Sequence, residues 1–261
     1  MIRLEQLQSI LELNKRIDNK IQNEVKRDFD KYYEEGINIA ETISIKLNEM
    51  AELISIPIND DKIGGLIVKK RDQYYCLINT NQPRAFQNFV YLHEFYHLLY
   101  TNDENFHVIS DTIENEINIE ERKANYYASL MLVSKEALRK NYYHFAKDRG
   151  FDLKTTIYYL MNLFKTTYKT ILIRLFEVGC IEDFQVLFDN FNNGMQEIQE
   201  NFIKLGLDQS IIQPSNATSI GKIDYYIKMV EDKETMLEDI LQLNTKRYYE
   251  IIKEIKAIQE Q

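Results

Sequence analysis

The chain reads as predominantly α-helical with a small β part, and three observations carry that reading. Three prolines and eight glycines in 261 residues leave little to interrupt helices. Apolar residues recur at spacings of three and four over most of the length. Only the region 65–79 alternates in the manner of paired strands.

Taken in order, residues 3–33 predict a charged amphipathic helix, with Leu4, Leu7, Leu11, Ile17, Ile21, Val25 and Phe29 near one stripe and Gly36 as its break. A second helix, Ile39–Ile54, uses Ile43, Leu47, Met50 and Ile54, and Pro57 ends it. Gly65-Leu66-Ile67-Val68-Lys69-Lys70 and Gln73-Tyr74-Tyr75-Cys76-Leu77-Ile78-Asn79 flank Arg71-Asp72 and predict a hairpin. Such a strand beside a cleft can hold an extended peptide by main-chain pairing. Asn79 and Asn81 either bond substrate or cap the turn that follows, and the turn is the preferred reading. Residues 86–100 are apolar on nearly every side, the mark of a buried helix, and a further helix begins at Ile119.

The segment 151–179 admits two readings. It packs against the core, or it forms a helix-turn-helix with Thr166–Arg174 as recognition helix and only Lys165, Lys169 and Arg174 to meet DNA. Packing is the preferred one. Beyond Cys180, Phe184, Phe188, Phe191, Met195, Ile198, Phe202 and Leu205 form one helical series. Ile223, Val230, Leu237, Asn244, Ile251 and Ile258 occupy the a positions of a second, with Ile227, Glu234, Leu241, Tyr248 and Ile255 at d. That seam predicts either an intramolecular helix pair or a homo-oligomer, and both stay open. The expected division is therefore an N-terminal helix (1–36), a central domain (37–180) and a coiled-coil-like helical appendage (181–261).

A formal net charge of −9 opposes direct nucleic-acid binding, which relies on Lys and Arg to neutralise phosphates. Two cysteines, Cys76 and Cys180, are too few for a disulfide framework and are expected as buried free thiols. No run approaches the roughly 20 apolar residues of a membrane span, and the start, Met1-Ile2-Arg3-Leu4-Glu5, has no secretory pattern. A cytoplasmic protein without membrane association is the expectation.

The chemistry concentrates in His93-Glu94-Phe95-Tyr96-His97. On a helix His93 and His97 stand one turn apart on one face, a spacing that suits two nitrogen ligands of one tetrahedral zinc, with Glu94 beside it as general base. Buried histidines are often ordinary hydrogen-bonded residues. Two of them with a carboxylate among Phe86, Phe89, Val90, Leu92, Phe95, Leu98 and Leu99, however, are costly unless paired or coordinated. A third ligand is sought downstream. Glu121, Ala124, Asn125 and Ala128 share one helical stripe whose small residues allow close approach to the metal helix, while Glu120 points about 100° away. Glu116 is the competing carboxylate and lacks such a stripe.

These motifs in this order resemble the ImmA/IrrE family of zinc metallopeptidases. The likeness rests on Tyr75-Cys76-Leu77-Ile78-Asn79, Pro83-Arg84-Ala85-Phe86, His93-Glu94 with His97, and Glu121-Arg122-Lys123-Ala124-Asn125-Tyr126-Tyr127-Ala128, followed by the helical segment Leu160–Tyr168 with Arg174-Leu175. Leu92 and Tyr96 stand where the family commonly has Ala and Gly, and Leu130-Met131-Leu132-Val133 replaces its Leu-Met-Pro; no ligand position is touched. The resemblance implies a zincin-like α+β core, zinc held by His93, His97 and Glu121, and Glu94 as the base. It also implies an intracellular protein substrate, a helix-turn-helix repressor or similar regulator. Tyr126, Tyr100, His107 and Arg84 are candidates to stabilise the oxyanion, and Asn125 to orient a ligand. The rival expectation is a non-catalytic binding protein that sequesters a repressor or toxin; an intact Glu94 favours the enzyme.

Overall fold

The computed structural model describes residues 2–70, 73–101, 107–109 and 118–222. The long first helix, α1 (Leu4–Tyr32), buries Leu7, Ile10, Asn14, Ile21, Asp28 and Tyr32. Its inward seam thus includes two polar residues that an apolar stripe alone does not reveal. Helix α2 (Ile39–Met50) is capped by the Asn38 side chain, which accepts from the Ala40 N–H.

The predicted second helix runs too far. Ala51 is extended at φ −134°, ψ 168°, and Glu52–Ile56 is strand β1. Leu53, Ile54, Ser55 and Ile56 are better suited to a pleated surface than to another helical turn, and parallel pairing with β3 satisfies their backbone. Strands β2 (Gly65–Lys70) and β3 (Gln73–Asn79) pair antiparallel as the hairpin expected, with Lys70 opposite Gln73.

Helix α3 (Arg84–Tyr100) follows, then β4 (His107–Ile109) and α4 (Ile119–Leu132). Among the described residues the sheet has five strands in the order β4-β2-β3-β1-β5, the last being Ser219–Ile220. Asn79 organises the turn after β3: its side chain accepts from the N–H groups of Ile58 (2.8 Å) and Asn81 (3.0 Å) and donates to the Ile63 carbonyl (2.8 Å).

After α5 (Lys135–Tyr143) and a π-turn (His144–Asp148), α6 (Leu153–Phe164) and α7 (Tyr168–Glu177) are joined by a tight turn in which Lys165 is left-handed at φ 51°. The would-be recognition helix faces inward. Tyr168, Thr170, Ile171, Leu172, Arg174 and Leu175 are buried, and Arg174 is paired with Glu177 at 2.7 Å. This segment is core.

The apolar series 184–205 forms two helices, α8 (Phe184–Phe191) and α9 (Met195–Lys204). Leu187, Phe191, Ile198 and Phe202 are buried. The chain then returns to the start of α3, where the Arg84 N–H donates to the Gln213 carbonyl and the Ser215 hydroxyl to Gln87, before β5 pairs with β1. The heptad series Ile223–Ile258 lies outside the described residues.

Candidate metal centre

Helix α3 is buried on most of its surface. Val90, Leu92 and Phe95 are fully covered, and His93, Glu94 and His97 lie in the same enclosed stretch at 0, 0 and 2 % exposure. Helix α4 crosses α3 closely, because Ala124 and Ala128 are fully buried where larger side chains would hold the axes apart. Asn118 caps α4 by accepting from the Glu120 N–H at 2.9 Å, which sets Glu121 in the first turn, where a carboxylate also meets the helix dipole favourably.

Three side chains converge there. His93 Nε2 lies 3.2 Å from Glu121 Oε2, His97 Nε2 lies 3.2 Å from Glu121 Oε1, and the two Nε2 atoms are 3.1 Å apart. A tetrahedral ion with bonds of about 2.0–2.2 Å holds its ligand atoms roughly 3.3–3.6 Å apart, so the triangle closes onto one cation with little movement. The opposite side of each ring has a partner as well. His93 Nδ1 is 3.0 Å from Asn125 Oδ1, and His97 Nδ1 is 3.0 Å from Thr101 Oγ1. With the Asn125 oxygen accepting, Nδ1 carries the proton and Nε2 presents its lone pair to the centre. Two imidazole lone pairs and a carboxylate aimed at one point repel one another unless a cation lies between them. The donor set fits: two His nitrogens and one Glu oxygen form one of the recurring sets of catalytic zinc.

The electrostatics follow from burial. Burial opposes ionisation of Glu121, yet when the imidazoles carry protons on Nε2 in place of an ion, hydrogen bonds and charge from His93 and His97 outweigh it and hold the carboxyl well below its ordinary range. Glu94 behaves oppositely. Burial first, and the Glu121 charge second, push its carboxyl well above the usual value, and neither oxygen has a hydrogen-bond partner. Gly65 of β2 passes directly over it: a Cβ there would lie 2.6 Å from Val90 Cγ1, 2.8 Å from the Leu77 carbonyl and 3.3 Å from Glu94 Oε1. Cys76 is free and fully buried, and burial, then Glu94, push its thiol well above its ordinary range, so it stays an inert core residue. Cys180 is free and half-buried rather than buried.

Several expectations are relocated. Glu120 pairs with Lys123 at 2.6 Å at the edge of the helix. Glu116 lies outside the described residues. Of the candidate oxyanion donors, Tyr126 donates to Asp18 at 2.6 Å, Tyr100 donates to Asp28, and Arg84 is exposed at the far end of α3; the side chain of His107 is not among those described. The hairpin strands cannot take a peptide as an extra strand, since β2 lies between β4 and β3, and β3 between β2 and β1. Among the described residues the sheet edge on this side belongs to β4, whose Ile109 sits opposite Gly65. Sequence reasoning missed Thr101 and Gly65. Thr101 at i+4 from His97 was open to inference from helical spacing; Gly65 had no signal beyond opening a strand.

Residues 51–176 match the family model of Peptidase_M78, the IrrE N-terminal-like domain. No curated protein matches the chain.

Proposed function

Because the chain carries an IrrE N-terminal-like domain of the ImmA/IrrE metallopeptidase family at residues 51–176, we propose that it is a zinc-dependent endopeptidase acting on an intracellular DNA-binding repressor or a similar regulator. The observation that carries this reading is the pairing of a convergent His93–His97–Glu121 triangle with a buried carboxylate, Glu94, that has no hydrogen-bond partner. A site built only to hold an ion gains nothing from a second, unpartnered carboxylate, and leaving one there is costly. A base that receives the proton of an incoming water needs that freedom.

His93, His97 and Glu121 would hold the ion, and zinc, when bound, supplies Lewis acidity that acidifies water and polarises a carbonyl. Glu94 is ionised there, because a cation held by the three ligands offsets the burial and the Glu121 charge that raise its carboxyl. It accepts a proton from the attacking water at a carboxylate oxygen and passes it to the departing amine nitrogen. Asn125 and Thr101 keep the two rings oriented during this transfer. Val90 and the β2 backbone at Gly65 close over Glu94 and exclude bulk solvent, which strengthens each of these interactions. A substrate peptide lies extended along the outer edge of β4, the strand whose Ile109 pairs with Gly65 beside Glu94. The cytoplasm is the expected compartment, and among the described residues no helix is long and apolar enough to cross a membrane.

The test is co-expression with a candidate repressor, comparing the wild type with Glu94→Gln. Gln is nearly isosteric but cannot accept a proton at neutral pH, so the variant is expected to keep its fold and zinc and to leave the repressor intact. Equal fragment yields from both chains would remove Glu94 from the base role. Repressor capture without fragments by both would support a sequestering protein instead.

A further inference from the structure

Helix α1 lies outside the residues matched by the family model, yet it reaches both helices of the metal centre through one buried carboxylate. Asp28 is 3 % exposed. Its Oδ2 accepts from the hydroxyl of Tyr100, in the turn of α3 that follows His97, and from the hydroxyl of Tyr127 on α4 at 2.9 Å. Arg27 donates to the same Tyr100 hydroxyl and lies 3.5 Å from Asp28 Oδ1, so the carboxylate has a cation beside it. Burial first, and Asp28 second, push both phenols well above their ordinary range, which keeps them protonated and donating.

The rings extend this link to the ligands. Tyr96 packs against Tyr100 at 4.9 Å and Tyr127 at 5.3 Å between centroids, and stands edge-on to His97 at 6.1 Å. Tyr100 and Tyr127 are themselves 6.1 Å apart. One oxygen therefore ties the end of the helix bearing His93 and His97 to the helix bearing Glu121. The interval between those helices decides whether a carboxylate from one meets two imidazoles from the other.

The geometry points to Asp28 as a positioning residue of the metal centre, acting through Tyr100 and Tyr127 to hold α3 and α4 at the spacing that lets Glu121 join His93 and His97. This rests on the metal reading above. Apolar packing alone leaves the two helices free to slide by a fraction of an ångström, whereas two hydroxyls on one buried oxygen fix both translation and rotation. Two further bonds between α1 and the core, Tyr126 donating to Asp18 and Asn14 donating to Glu177, lie nearer the start of the helix.

The test measures zinc affinity of the full chain by competition with a chromophoric chelator, together with the melting temperature of the metal-free form. Asp28→Asn and Tyr127→Phe are each expected to weaken zinc at least about tenfold, the lower end of what losing a group behind a ligand does. The double variant should be no weaker than the worse single one, since both break one linkage. Phe202→Leu, in the distant α9 core, serves as a control that lowers melting temperature without moving affinity. Variants that melt lower but bind zinc like the wild type would reduce Asp28 to a structural role and overturn the inference. Should Asp28→Asn not fold, Tyr127→Phe, which deletes a single hydroxyl, decides alone. A wild type that binds no zinc would sink the metal reading and this inference together, and is thereby distinguished from failure of the clasp.

Discussion

Leaving a buried polar group without a partner costs about 1–3 kcal/mol, and more for a charge. Glu94 tolerates this beside a convergence of donor groups, and that contrast is what supports the proposed chemistry there. The trio was legible because each member obeys a simple geometric rule. His93 and His97 are one helical turn apart, and Glu121 heads a stripe whose Ala124 and Ala128 are fully buried. Asn125 was legible as the next residue on that stripe, and it does meet His93 at 3.0 Å. Asp28 was not, because a search for apolar periodicity passes over polar residues on the same seam; Leu7, Asn14, Ile21 and Asp28 all face inward. At this scale the decisive substitution is Glu121→Ala. Two imidazoles alone make a weak site, so metal analysis should show loss of stoichiometric zinc, an effect beyond the roughly 10- to 100-fold that follows from removing a group behind a ligand. If Glu121→Ala keeps its zinc while Glu116→Ala loses it, the third ligand has been misplaced.

Among the elements, the helices declared themselves through periodicity and the sheet did so only in part. The β2–β3 hairpin follows from two alternating runs around a polar turn, and its strands pair with Lys70 opposite Gln73. β1 was hidden, since Ile54 continues the apolar spacing of α2 and only tertiary pairing with β3 decides between helix and strand. β4 and β5 are too short to leave a pattern. What the sequence could not display is the distance between β2 and α3. Gly65 sets it: an added Cβ would press on the stiff Val90 side chain and on the Leu77 carbonyl, neither of which can turn aside cheaply. Gly65→Ala is therefore expected to lift β2 from α3, lowering stability by about 1–3 kcal/mol as overpacking does, and to displace Glu94. Denaturant unfolding reads the first effect, and peptide hydrolysis at saturating zinc reads the second. An alanine variant of wild-type stability and activity would show that strand and helix are not in contact as described.

For the whole molecule, the sequence suggested a break near Cys180, where helical residues of a different character begin. Residues 181–222 nevertheless close surfaces of the core. Leu187 and Phe191 cover α7, Ile198 and Phe202 cover α6, Ile211 and Ile212 reach α3, and all six are at most 5 % exposed. The strand that ends the described chain pairs with β1. Apolar burial of this kind contributes about 1.5–3 kcal/mol per large side chain, so removing all of it approaches the entire ~5–15 kcal/mol that separates a folded domain from its unfolded chain. A chain cut at Cys180 is thus expected to aggregate, or to lose cooperative unfolding and with it the zinc site, because α3 and α6 would each expose an apolar face. A chain ending at Lys222 keeps every described core residue and should melt cooperatively and bind one zinc. Size-exclusion chromatography, thermal melting and metal analysis of the two truncations distinguish the outcomes. A soluble, zinc-loaded fragment 1–180 would show that the helices after Ile181 are a separable appendage, leaving partner choice or self-association as their role.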